Sequence, residues 1–161
     1  LFATMMVEIP FTRLVEGFLF HPYKIRPLLF AMVKVRGIEG FPKDARISGL
    51  MRRACKHLHV HLDALEAQLA EAGGPWILGA DFSLADVSWL VILERLNEAE
   101  WISGFLQGRP RCSAYWQSLI ERDSYRQAIV EHSHPILERG RERLRAAKQK
   151  SPELAELLSA G

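Results

Sequence analysis

Apolar residues recur through the middle of this chain in steps of three and four. Between Asp44 and Ala72 they fall at Ile47, Leu50, Met51, Ala54, Leu58, Leu62, Leu65 and Leu69, one stripe of a 3.6-residue helix. Arg52, Arg53, Lys56, Asp63 and Glu66 lie off the stripe and predict its solvated side. Gly73-Gly74-Pro75 ends the helix, because Gly accepts the left-handed cap and Pro cannot continue the ladder.

A second helix is predicted from Ser83 to Asn97. Ser83-x-x-Asp86 fits a capping box with Asp in the place of Glu or Gln, and Phe82 with Val87 fits a hydrophobic staple. The run Val87-Ser88-Trp89-Leu90-Val91-Ile92-Leu93 is apolar almost all round, which predicts a central, buried helix. Arg109-Pro110 opens another helix, with Pro in the first turn and Tyr115, Trp116, Leu119 and Ile120 on its apolar side. Ser124-x-x-Gln127 fits a second capping box. Pro135 begins a helix through the basic stretch to about Lys150, and Ser151-Pro152 begins a terminal turn. Upstream, Leu1 to Phe20 and Lys24 to Arg36 also predict helices, with Pro10 as a kink or break. Hairpin and strand signals are weak. The expectation is an all-α helical bundle forming a single domain over residues 1–161.

Composition narrows the class. The 161 residues are 48% hydrophobic and 25% charged, so disordered, collagenous and coiled-coil classes do not fit. Lys plus Arg number 21 against 19 acids, a net charge of +2 that does not call for nucleic acid. Cys55 and Cys112 are too few for a disulfide scaffold and point to a reducing, cytoplasmic setting. The opening LFATMMVEIP lacks the basic start and apolar core of a signal peptide. The longest apolar run, Leu28 to Val33, is far below the roughly 20 residues a membrane span needs.

The segment Pro75-Trp76-Ile77-Leu78-Gly79-x-x-Phe82-Ser83-Leu84-Ala85-Asp86-Val87-Ser88 resembles the helical C-terminal domain of glutathione transferases. That family places a W-[ILV]-x-G turn before an F-[ST]-x-A-D-[VI] capping box. Glu94-Arg95-Leu96, Arg109-Pro110, Tyr115-Trp116, Leu119 and Ser124-Tyr125 follow in matching order. The basic C-terminal helix resembles the branch that contains ganglioside-induced differentiation-associated proteins. Some members of that branch carry a membrane anchor; Pro152 to Leu158 is too short to be one.

The resemblance implies an N-terminal thioredoxin-like domain, absent from these residues, that binds glutathione as co-substrate and activates its thiol. The helical domain would shape the pocket of a hydrophobic small-molecule electrophile and part of a homodimer interface. No catalytic residue is assigned within it, and this chain alone is expected to be inactive. Phe2, Met6, Ile9 and Arg13, at helical spacing on one face, are the candidate substrate-binding residues; Met adapts to varied shapes and Arg13 suits a carboxylate. A non-catalytic interaction module is an alternative reading.

Asp86 is expected to be buried as a structural cap with Ser83, not as a general base. His57, His59 and His61 invite a metal, but residues two apart on a helix point in nearly opposite directions. His57 and His61 could share one at i and i+4, yet no third ligand is evident, so none is expected. Arg109 and Arg111 near Cys112 could lower its thiol pKa, but neither cysteine has a CxxC partner or a flanking acid-base pair, so an ordinary small residue is expected. From Arg139 to Lys150 there are six positive residues and one negative. A solvated face is expected there; an adaptor for anionic surfaces is the rival.

Overall fold

The computed structural model describes residues 35, 45–133, 135–153 and 156, the side chains at 45–47, 50 and 136 excepted. The predicted helices over 1–20 and 24–36, with Phe2, Met6, Ile9 and Arg13, lie outside the described residues, apart from helical Val35.

The described fold is all-α. Helix α1 spans Ala45–Ala72, α2 Leu84–Glu98, α3 Ile102–Leu106, α4 Pro110–Ile120, α5 Asp123–Tyr125 and α6 Pro135–Lys150. A π-helical turn over Arg126–Val130 continues α5 without a break. The sole β feature among the described residues is an isolated bridge between Trp76 and Gly79.

The buried stripe of α1 runs through Cys55, Leu62, Leu65 and Leu69, with Leu58 partly buried. Cys55 takes the inward position and Ala54 is exposed, a shift of one residue from the predicted stripe. This face packs most extensively on α4, which contributes Cys112, Tyr115, Trp116 and Leu119. Leu93 and Leu96 of α2 and Phe105 of α3 complete the core. Helix α3 breaks no sequence rule, but five residues are too few for periodicity to announce it.

Helix α2 corrects the expectation of a fully buried element. Asp86 and Leu93 are 0% exposed, yet Leu84 is 83% and Val91 53% exposed. Its inward side carries charge as well, since Glu94 and Glu98 are buried. The second predicted capping box is also displaced. Helix α5 starts at Asp123, with Arg122 as its cap residue and no side-chain cap bond. Ser124 therefore falls inside the first turn. Arg122 is fixed there by stacking, its guanidinium 3.6 Å from the Phe82 ring centre and 5.1 Å from that of Trp76.

Helix α6 is held down by Glu100, a non-glycine residue at φ 62°. Its carboxylate accepts from Arg145 at 2.7 Å and lies 4.0 Å from Arg141, and its backbone carbonyl accepts from Lys148. The hydrogen bond from Arg145, with the charges of Arg145, Arg141 and Lys148, outweighs burial and holds the Glu100 carboxyl below its ordinary pKa. Arg141, Arg145 and Lys148 thus gather around one acid, while Arg139, Arg143, Arg145 and Lys150 are exposed, as expected of a solvated face. Ala147 is buried against Met51 and Trp101, completing the seat.

Candidate functional site

The most densely bonded side chain among the described residues is Asp86, and local sequence brings it there. The Trp76–Gly79 turn folds the chain back after α1, through paired backbone bonds of 3.1 and 3.0 Å. Gly79 sits at φ 97°, a conformation that suits glycine. The turn delivers Ile77 N–H to the first turn of α2. Ser83 and Asp86 close a capping box there.

The Asp86 carboxylate accepts four hydrogen bonds. Oδ1 takes Ile77 N–H at 3.0 Å and the Tyr115 hydroxyl at 2.9 Å; Oδ2 takes Ser83 N–H and the Ser83 hydroxyl, each at 2.8 Å. Burial alone would raise its pKa, but these donors outweigh burial and hold the carboxyl below its ordinary value. Tyr115 is the partner that sequence reasoning missed. It lies 29 residues away, on α4, and no short-range spacing signals the pairing. Trp76 covers the cluster, edge-on to Phe82 at 5.1 Å and to Tyr115 at 6.3 Å.

A second carboxylate works across elements. Glu66 of α1 accepts the N–H groups of Arg111 and Cys112 at 3.0 and 2.7 Å, so it caps α4 from outside. Burial raises its pKa, and those two N–H groups more than reverse the effect. Arg109 adds a clamp, donating to Asp63 at 2.7 Å and to the Phe105 carbonyl at 2.7 Å. Glu66→Ala is expected to cost about 1–2 kcal/mol in urea unfolding, as for loss of a good helix cap. Glu66→Gln should recover part of that loss.

Cys112 is the ordinary buried residue expected, not a reactive thiol. It is 0% exposed, its sulfur lies 3.6 Å from the Leu62 carbonyl, and burial and the adjoining Glu66 carboxylate push its pKa up to about 12. Arg109, which pairs with Asp63, lowers the thiol pKa but is outweighed by burial and Glu66. Burial raises the Cys55 thiol too. The Tyr115 and Tyr125 hydroxyls are raised by burial and by donation to Asp86 and Glu94. No described cysteine or tyrosine thus offers a free donor to a thiolate. His57 and His61 are exposed, and His59 stacks on Phe105 at 4.7 Å. Among the described residues no group of three His, Cys, Asp or Glu could hold a metal, and no helix is long and apolar enough to cross a membrane.

A Trp turn feeding an Asp-capped helix, tied to a Tyr on a crossing helix, defines a class of helical domain. The family model for the glutathione S-transferase C-terminal domain matches residues 48–117. That stretch of the chain belongs to the glutathione S-transferase C-terminal domain family.

Curated relatives agree. The chain is 41% identical over 76 residues to a tetrachloro-P-hydroquinone reductive dehalogenase of Sphingobium chlorophenolicum, covering 45% of this chain and 28% of that one. It is 36% identical over 91 residues to a 2,5-dichlorohydroquinone reductive dechlorinase of Sphingobium indicum, 53% of this chain and 25% of that one. It is 32% identical over 81 residues to glutathione S-transferase TCHQD of Arabidopsis thaliana, 50% of this chain and 30% of that one. The matches thus span only 25% to 30% of those relatives' lengths. No solved structure gives a significant match.

Proposed function

We propose that this chain is the helical half of a cytoplasmic glutathione transferase-type enzyme, working as a homodimer. Its part is to shape the pocket that receives a hydrophobic electrophile, while glutathione is bound mainly by a preceding thioredoxin-like domain. Phe2, Met6, Ile9 and Arg13 would line that pocket. The support is the family match over 48–117, joined to relatives named for removing chlorine from hydroquinones.

The substrate class we assign is a chlorinated hydroquinone or similar aromatic electrophile. Exchanging C–Cl for C–H takes up two electrons and a proton and releases chloride. Two glutathione thiols supply the electrons by joining as one disulfide. The thiolate is the attacking form, so some group must stabilise it. The described tyrosines and cysteines are committed or buried, which leaves that work to the rest of the polypeptide.

The test is chloride release by the full-length protein, supplied with glutathione and a tetrachlorinated hydroquinone. Glutathione-dependent chloride with matching glutathione disulfide is expected, and residues 1–161 alone should be inactive. No turnover, together with no retention on immobilised glutathione, would instead favour a non-catalytic interaction module. The adaptor reading loses support from Glu100, which holds Arg145 and faces Arg141.

A further inference from the structure

A cleft of about 400 Å³ opens between the C-terminal half of α2, the π-helical turn and α6. It shares no residue with the Asp86 cluster. Two of its acids are buried, Glu94 at 4% and Glu98 at 7% exposed. Oε2 of Glu94 accepts the Tyr125 hydroxyl at 2.8 Å and the Asn97 amide at 3.4 Å. Among the described residues, Oε1 accepts nothing and no cation pairs with this carboxylate. The other acids of the cleft differ. Glu98 pairs with Arg95 at 2.6 Å and Glu138 with Arg145 at 3.3 Å.

A buried carboxylate without an opposite charge is costly, and a cation that reaches it removes the cost. The cleft volume lies in the range of small-molecule sites. Ala128, Ile129 and Leu137 give it an apolar wall beside the acid. The wall includes the π-helical turn, an irregularity often found where helices serve a ligand.

We propose that this cleft binds a small protonated monoamine with a short aliphatic body. The ammonium donates to Glu94 Oε1, while the Tyr125 bond holds Oε2 and fixes the carboxylate plane. The alkyl chain lies along Ala128, Ile129 and Leu137. Arg95 and Arg141 also border the cleft and oppose a second positive charge, so a diamine binds less well.

The probe is n-butylammonium chloride, titrated by calorimetry into the full chain at ionic strength matched with sodium chloride. Saturable binding with a raised melting temperature is expected. Butan-1-ol, sodium butyrate and 1,4-diaminobutane should bind less. Glu94→Gln keeps an acceptor for the Tyr125 hydroxyl and should weaken butylammonium about 10- to 100-fold, as for loss of one charge-assisted hydrogen bond. Ala128→Phe, on an exposed position of the wall, should abolish binding by filling the cleft. If Glu94→Gln does not fold, Ala128→Phe decides. Absence of saturable binding, equal binding of butan-1-ol, or unchanged affinity in the folded variants overturns the proposal.

Discussion

Asp86→Ala is expected to lower stability by about 3 kcal/mol or more, because it strands several buried donors at once. Ile77 N–H, Ser83 N–H and the Tyr115 hydroxyl all end on this one carboxylate. The methyl group replaces none of them, and the site has no water-facing side to repair the loss, since Asp86 is 0% exposed. For a domain of this size the melting temperature should fall by about 10 °C. Tyr115→Phe removes a single bond and should cost about 1 kcal/mol. A melt of Asp86→Ala within a degree of the parent would remove the structural account of this residue.

The same carboxylate predicts an acid dependence. Its pKa is lower folded than unfolded, so the folded state binds fewer protons. That contribution is complete above the unfolded value near 4 and is lost as pH falls through the lower folded value. Urea midpoints measured from pH 6 downward should therefore fall below about pH 4 in the parent, and fall less in Asp86→Ala.

Gly74→Ala is the second large effect. A Cβ built there would lie 2.4 Å from the Gly79 carbonyl oxygen and 2.5 Å from its carbon, inside any tolerable contact. Both atoms are backbone, and Gly79 N–H and C=O are already bonded to Trp76. No side chain can swing aside, so the turn itself must open. Opening it withdraws Ile77 from Asp86 and Trp76 from its seat over Tyr115. We expect a loss of about 2–4 kcal/mol by urea unfolding. At Gly73, by contrast, nothing lies within 4 Å, although φ is 66°. Gly73→Ala should cost only about 1 kcal/mol, for the left-handed backbone. Equal effects at the two glycines would mean that contact with Gly79 is not the cause.

Much of this fold is legible in local sequence, for identifiable reasons. The α1 stripe, the Gly-Gly-Pro stop, the Ser83 start and the Arg-Pro start are all written in residues close together. What local sequence omits is pairing across distance. Nothing near Tyr115 announces Asp86, and nothing near Glu66 announces the N-terminus of α4, 45 residues on. The displaced start of α5 has the same origin, because Arg122 is placed by Phe82 and Trp76 from another loop. The arginines beside Cys112 in sequence do not set its chemistry; burial and Glu66 do, and Glu66 lies on another helix. The candidate pocket residues Phe2, Met6, Ile9 and Arg13 rest on sequence alone.

The two thiols have a use beyond packing. Cys55 and Cys112 are both buried and are the chain's entire complement of sulfhydryls. A colourless disulfide reagent that turns yellow on reaction can reach them only when the bundle opens. The rate of colour development under native conditions is therefore a clock for local opening, read without any label. Because Cys112 lies on α4 and Cys55 on α1, two phases of that reaction would time the departure of one helix from the other.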